Sequence, residues 1–397
     1  MNRDTKLGWL LVPALLLGWL ALLAIPGSDA GQTANTPDSE AFFKSGLVYD
    51  LSLEFGPKEL DSLRREPRKY VKATLKEKTK DKEIVYKNVG VHVKGAAGST
   101  RGIDDKPGLT LNMDKFNDGQ RFHGMDKFHL ANSVQDPSYL SELLCGEMFR
   151  DAGVPASRVG HSLVTINGRK RGLYYIKEGY DRFFLAKHFG SRHGNFYDGG
   201  FLRDLDQPLQ LVSGKDDVAK HGDLKALLDA ARDGNVKTRL PKLEKLLDMD
   251  KFISYLVLEV LTWDWDGYPM NRNNYRIYHE PKSNKLTFIP SGMDQMFGDP
   301  NGTILPNFQG FIARAVLVVP EGRTRYLNRM DEILKKTYKT EERLRRLDEL
   351  QKIVQPALAS VDAGAGRDFP NQVNRLRSGL QQREKSVNQQ LKQTLKK

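Results

Sequence analysis

Apolar and polar side chains alternate through Val48, Tyr49, Leu51, Leu53 and Phe55, and again through Leu109, Leu111 and Met113 and at Phe128 and Leu130. A period of two marks strands with one buried face. Shorter runs at Tyr70 to Leu75, Ile84 to Tyr86 and Val89 to Val93 predict further strands in a meander. The clearest hairpin joins Ser162–Ile166 to Gly172–Ile176 through Asn167-Gly168, a dipeptide suited to the positive φ angles of a tight turn.

Helical spacing follows. Pro57 opens a short helix through Leu63, and Pro137 opens an amphipathic one carrying Leu140, Leu143, Leu144, Met148 and Phe149, closed by Gly153 with Pro155 beyond. Gly190 to about Val236 is rich in Gly and Asp and reads as an insertion or lid with one helix near Leu224 to Ala231. The run Phe252 to Leu261 predicts a buried helix that delivers Trp263, and two short strands, Tyr275 to His279 and Leu286 to Pro290, come next. Loops reach about Gly322, and helices run from Tyr326 onward. The last, Pro370 to Leu395, is polar except for a stripe of Val373, Leu376, Leu380, Val387 and Leu391. Strands first and helices later predict an α+β fold, with a strand-rich N-terminal lobe, a helical C-terminal lobe and a cleft between them.

Arg3 and Lys6 precede an apolar run from Leu7 to Ile25, and Ser28 and Ala30 form a small-residue cleavage site. Residues 1–30 are therefore a signal peptide or an N-terminal anchor, and the body is exported: periplasmic, cell-surface or secreted. Residues 31–46 read as a linker, 47–335 as the main domain and 336–397 as a C-terminal helical extension.

The composition is that of a globular body: 397 residues, 39% of them hydrophobic, with mean hydropathy −0.54. The net charge of +12 favours anionic partners. Much of it lies in solvated helical runs such as Lys335, Lys336, Arg343, Arg345 and Arg346, without the basic–aromatic pattern of a nucleic-acid module. Cys145 is the single cysteine, so no internal disulfide forms, and its apolar neighbours mark a structural thiol. His188 and His193 do not have the i, i+4 spacing of a metal pair.

Chemistry concentrates between Trp263 and Gly298. Asp264 and Asp266 end the apolar helix, Asn271, Asn273 and Asn274 follow, and Asp294 lies beyond the strand pair. Hard-oxygen side chains in this order suit Mg²⁺, which binds one or two carboxylates plus substrate phosphates. A carboxylate, an amide five positions on and a second carboxylate after a hairpin is the order of the phosphoryl-transfer loop in protein kinases. Upstream, Lys94 to Thr100 forms a small-residue turn after a strand, followed by Arg101 and Lys106. Its backbone N–H groups could cradle an anion, and a simple hairpin turn would read the same way. Glu178 ends another strand, placed either to support a phosphate-binding lysine or to face solvent.

The segments VGVHVKG, GMDKFHLANSVQDPSYL, FRDAGVPAS, INGRKRGLYYIKEGYDRFFL, GNFYDG, WDGYPMNRNNYRIY and FIPSGMDQMFG, in that order, resemble the CotH family of spore-coat-type atypical protein kinases over roughly residues 45 to 330. The resemblance implies a remote kinase-like fold and metal-dependent transfer of the ATP γ-phosphate to protein. It casts Asp266 as the catalytic aspartate and Asn271 and Asp294 as the Mg²⁺ or Mn²⁺ ligands. Lys94 or Lys106 would contact phosphates, with Glu178 supporting the lysine. The implied partners are ATP and a protein substrate such as an envelope or secreted protein. The family often reads W-D-x-D where this chain has Ser291, Gly292, Met293 and Asp294. That departure opens the alternative of a non-catalytic surface protein that binds a protein or glycan on the same scaffold.

Overall fold

The computed structural model describes residues 37–215 and 221–395. The apolar run from Leu7 to Ile25 and the small-residue site at Ala30 lie outside the described residues. Among those described, no helix is long and apolar enough to cross a membrane.

Strands β1 (Val48–Glu54), β2 (Val71–Lys78), β3 (Glu83–Lys94), β4 (Gly108–Asn112), β5 (Lys127–Ala131), β6 (Val159–Ile166) and β7 (Arg169–Glu178) close into a barrel in the order β1-β2-β3-β4-β5-β7-β6. All its pairings are antiparallel except the last, where β1 lies parallel to β6 with Leu53 opposite Ile166. The alternation read from the sequence fills the interior: Leu51, Leu53, Leu75, Leu109, Leu111 and Leu130 are all fully buried. Each contributes about 1.5–3 kcal/mol relative to exposure. The two runs at Ile84 to Tyr86 and Val89 to Val93 form one strand, β3, which passes through Asn88 at positive φ and pairs with β2 across a register shift.

Helix α1 (Pro37–Lys44) occupies part of the stretch that reads as a linker. Phe42 is buried and stacks on Tyr49 at 4.1 Å, while Glu40 meets Lys187 at 2.8 Å and Arg158 at 3.0 Å. Helix α2 (Pro57–Arg65) follows β1. Helix α3 (Ser141–Asp151) begins four residues after Pro137, because the Asp136 carboxylate captures the Ser138 and Ser141 N–H groups at 3.0 Å and holds the intervening chain as a polar cap.

After the barrel come α4 (Arg182–Phe189), β8 (Asn195–Asp198), β9 (Gln210–Ser213), α5 (Gly222–Ala231), α6 (Val236–Leu246), α7 (Met249–Leu261), α8 (Tyr268–Asn271), β10 (Tyr275–Glu280) and β11 (Lys285–Pro290). The last two strands join β8 and β9 in an antiparallel sheet ordered β11-β10-β8-β9. The stretch from Gly190 thus supplies two strands, with Phe196 and Tyr197 buried, and α5 is the helix expected near Leu224 to Ala231. The C-terminal part also contains a four-stranded sheet and is not purely helical.

Helices α9 (Phe311–Leu317), α10 (Pro320–Ile333), α11 (Thr340–Val361) and α12 (Ala363–Thr394) complete the body. The apolar stripe of α12, with Val373, Leu380 and Val387 fully buried, joins the same core as α7. Arg383 on α12 is also fully buried. It donates to the carbonyls of Val260 at 2.8 Å and Gly302, and its guanidinium lies 5.2 Å from the Trp263 ring. The residues read as a C-terminal extension therefore brace the loop that follows α7.

Candidate active site

From Phe252 to Leu261 every residue of helix α7 is buried, which anchors its C-terminal end, and Trp263 at positive φ turns the chain out of it. Asp266 follows in this loop. Its Oδ1 accepts from Asn271 Nδ2 at 2.6 Å, and its Oδ2 from Asn273 Nδ2 and Asn274 Nδ2, each at 3.0 Å. A carboxylate offers about four lone-pair positions, so three amides orient the group and one position stays open.

Beneath this loop, Glu259 and Asp264 are buried side by side, with the Tyr255 hydroxyl against Glu259. Burial pushes both carboxyls above their usual range, since two adjacent buried acids cannot both ionise. Gly267 is required here: a β-carbon would come 1.8 Å from Glu259 Oε2.

A cleft of about 480 Å³ separates the barrel from the β10–β11 region. Asp266, Asn273, Asn274, Gly292 and Asp294 line one side, and Lys94, Glu142, Lys177 and the turn Gly95 to Ser99 line the other. Asp294 is half-buried and makes no hydrogen bond or ion pair. Burial, with Glu142 and Asp136 nearby, raises its pKa to about 7, against the pull of Lys94 and Lys177. The side chain of Lys94, at the end of β3, makes no hydrogen bond either. Burial and the neighbouring Lys177 bring its pKa down to about 8. The Gly95 to Ser99 turn is pinned from below, where Asn132 Nδ2 donates to the Ser99 carbonyl at 3.0 Å and to that of Lys106 at 2.9 Å.

The buried ion pair of the site joins Lys177 of β7 to Glu142 in the first turn of α3, at 2.5 Å. Burial disfavours the Lys177 ammonium, but Glu142 more than offsets it and the pKa lies above its ordinary value. Asp136 positions α3, and so Glu142, through the cap described above. Tyr175 donates its hydroxyl to the same carboxylate.

Two residues expected at the site lie elsewhere. Glu178 points to the opposite side of β7 from Lys177, as adjacent strand residues must. It is committed to Arg158, with 3.0 Å to Nε and 2.5 Å to an NH2 group, rather than to a lysine. Lys106 does not line the cleft: its ammonium meets the Tyr139 hydroxyl at 2.7 Å and packs over the Tyr139 and Tyr174 rings. Asn271 reaches Asp266 but is not among the cleft-lining residues, whereas Asn273 and Asn274 are. Lys177 and Glu142 are the site residues that sequence reasoning did not single out. A lysine beside the expected Glu178 was the available signal for the first.

The donor set fits a divalent cation carried by a nucleotide. Among the described residues no three His, Cys, Asp or Glu side chains form a metal-holding group. There is thus no all-protein cage, but the cleft offers the unpartnered Asp294 carboxylate, side-chain amide oxygens and lysines for phosphates. That is the sparse, hard-oxygen environment in which Mg²⁺ keeps water and substrate oxygens.

The sequence model of the family described as "CotH kinase protein" matches residues 91–387, and the chain belongs to that family. The match runs through α11 and most of α12. The invasin CotH3 of Rhizopus delemar is 28% identical over 189 residues, covering 43% of this chain and 31% of the fungal protein. The inner spore coat protein H of Bacillus subtilis is 25% identical over 240 residues, covering 55% of this chain and 65% of that protein. The chain therefore spans less than two thirds of the length of these relatives. Among solved structures, the Helicobacter pylori proinflammatory kinase CtkA aligns with a TM-score of 0.34 and 11% identity, over 72% of this chain and 94% of its own. A superposition at that score places no element of this chain.

Proposed function

We propose that the protein is an exported phosphotransferase that moves the γ-phosphate of ATP to a Ser or Thr hydroxyl of an envelope or secreted protein, with Mg²⁺ or Mn²⁺. The observation that carries the reading is the juxtaposition in one cleft of Asp266, held by three amides, with the unpartnered Asp294 and Lys94 and the Lys177–Glu142 pair.

Asp266 uses its open lone-pair position to orient the substrate hydroxyl and take its proton. The hydroxyl oxygen bonds to the γ-phosphorus, the bond from that phosphorus to the β–γ bridging oxygen breaks, and ADP departs with the electron pair. Lys94 and Lys177 bind phosphate oxygens, and Glu142 keeps Lys177 charged and aimed, as strand lysine and helix glutamate do in protein kinases. Asp294 and a side-chain amide would hold the cation, which when bound neutralises phosphate charge. Burial of Lys177 and Glu142 strengthens the interaction between them. The spore-coat and invasin names of the relatives, together with the N-terminal apolar run, support a location outside the cytoplasm.

The test is transfer of radiolabel from γ-labelled ATP by the full chain with Mg²⁺ or Mn²⁺, beside Asp266→Asn. Metal-dependent labelling lost in the variant supports the reading, and equal labelling by both proteins overturns it. Gly292, where family members often carry aspartate, favours a second reading in which the cleft binds ligand without transfer. Nucleotide binding by thermal shift without labelling in any protein would support that second reading.

A further inference from the structure

Arg383 of α12 is fully buried, and among the described residues no carboxylate forms an ion pair with it. Holding a charge out of water without a counter-ion is unfavourable, and a methionine or leucine would fill the same space without that penalty. What the arginine adds is a planar fork that donates in two directions. One NH2 group donates to the Val260 carbonyl in the last turn of α7 at 2.8 Å. The other donates to the Gly302 carbonyl and approaches that of Pro300 at 3.4 Å. The guanidinium lies over the Trp263 ring, and Gly302 packs so close to that ring that a β-carbon there would come 2.1 Å from it.

These partners belong to the two segments that carry the acids of the cleft. Asp266 follows Trp263 by three residues, and Asp294 precedes Phe297 by three. The segments meet directly where the Phe297 N–H donates to the Thr262 carbonyl at 2.8 Å. Helix α12 grips the second segment on both sides of Arg383. Gly379 sits so near Phe297 that a β-carbon would come 2.8 Å from its side chain, and Gln390 donates to the Gly302 carbonyl at 3.2 Å while accepting from the Ile304 N–H at 2.9 Å. Arg383 itself does not line the cleft, and Lys94 and Lys177 stand on the wall opposite Asp266.

We propose that Arg383 is a positioning residue for phosphoryl transfer: by tying the end of α7 to the loop beyond Asp294 through one rigid group, it fixes Asp266 relative to Asp294. The inference rests on the phosphotransferase reading and adds to it a residue that touches neither substrate. Without the fork the two acids shift against each other, while the lysines of the opposite wall stay where they are. Transfer then slows without loss of nucleotide affinity, and a displacement of about 1 Å in such a geometry costs up to about a hundredfold in rate.

The experiment compares the full chain with Arg383→Met and, as a control of similar destabilisation, with Val354→Ala in the buried face of α11. Thermal midpoints confirm that each protein is folded. The quantities read are affinity for a fluorescent non-hydrolysable ATP analogue, the rate of self-labelling at saturating γ-labelled ATP with Mg²⁺ or Mn²⁺, and hydrogen exchange in peptides covering residues 260–267 and 295–304. In Arg383→Met the labelling rate falls at least about tenfold, affinity stays within about threefold, and exchange in both segments quickens at least about tenfold. Val354→Ala keeps all three within about threefold of the parent.

Labelling by Arg383→Met at the parent rate, or exchange unchanged in either segment, would overturn the inference. So would an equal slowing in Val354→Ala, which would make the effect one of stability alone, or a loss of nucleotide affinity as large as the loss of rate. Each of these outcomes leaves the phosphotransferase reading standing. A parent chain that labels nothing would remove that reading, and the inference with it.

Discussion

Replacing Glu142 by glutamine leaves the Lys177 ammonium in place with its counter-charge gone. Both side chains of the pair are less than a tenth exposed, at 7% for Lys177 and 8% for Glu142. Water therefore cannot take over from the carboxylate, and breaking such a pair from one side costs about 3–5 kcal/mol. A body of this size has an unfolding entropy of roughly 0.75 kcal/mol/K, so the melting midpoint should fall by about 4–7 °C. Urea unfolding followed by fluorescence and circular dichroism would give the same loss as a lower midpoint with an unchanged slope. The double variant Glu142→Leu with Lys177→Met removes both charges and retains bulk, so it should recover to within about 1 kcal/mol of the parent. Phosphate transfer should not recover with it, since Lys177, proposed above to bind phosphate, is absent. A loss below about 1 kcal/mol in Glu142→Gln would refute the claim that the pair is desolvated. A double variant as unstable as the single one would refute the claim that charge, rather than packing, sets the cost.

Two further outcomes follow from buried groups away from the cleft. His161 is buried with Nε2 2.7 Å from the Tyr139 carbonyl, and burial brings its pKa down to about 4. The unfolded chain then binds a proton that the folded chain refuses, so stability falls as pH drops from about 6.5 to 4, by roughly 3 kcal/mol for this group; a His161→Gln variant should show a flatter pH–stability curve by one proton. Arg383→Met removes one donor each from the Val260 and Gly302 carbonyls, which keep the Trp263 N–H and the Gln390 side-chain amide, and should cost about 1–3 kcal/mol in urea unfolding while a change at exposed Lys385 costs under about 0.5 kcal/mol.

The local parts of this molecule were legible in its sequence. Alternation marked β1, β4 and β5, the Asn-Gly turn marked the β6–β7 hairpin, and the apolar run marked α7, because each is set by neighbours a few residues away. Strands β8 and β9 were not legible: they are four residues each, and Asn195 and Asp198 interrupt the pattern of β8. At the site, Asp266 and its asparagines were readable because one loop contains them all. The Lys177–Glu142 pair was not, since it depends on packing α3 against the barrel. The confusion with Glu178 has a specific cause. From Leu173 to Glu178 every residue of β7 is buried, so the alternation that reveals a strand's facing is erased there, and parity had to be fixed by Arg158 on one side and the cleft on the other.

The parallel contact between β1 and β6 also dictates an order of events during synthesis. Val48 has no partner on that edge until His161 has been made, so the first five strands emerge as an open sheet with two bare margins, one at β5 and the other at β1. At about 5–20 residues per second the β1 margin waits several seconds or more. The β6–β7 hairpin then enters as a unit, β7 along β5 and β6 along β1, and shuts the ring. Lys177 rides on that hairpin. Closing the barrel and bringing Lys177 to Glu142 are therefore one event, and in a nascent chain that wall of the cleft is not formed before its ring is complete.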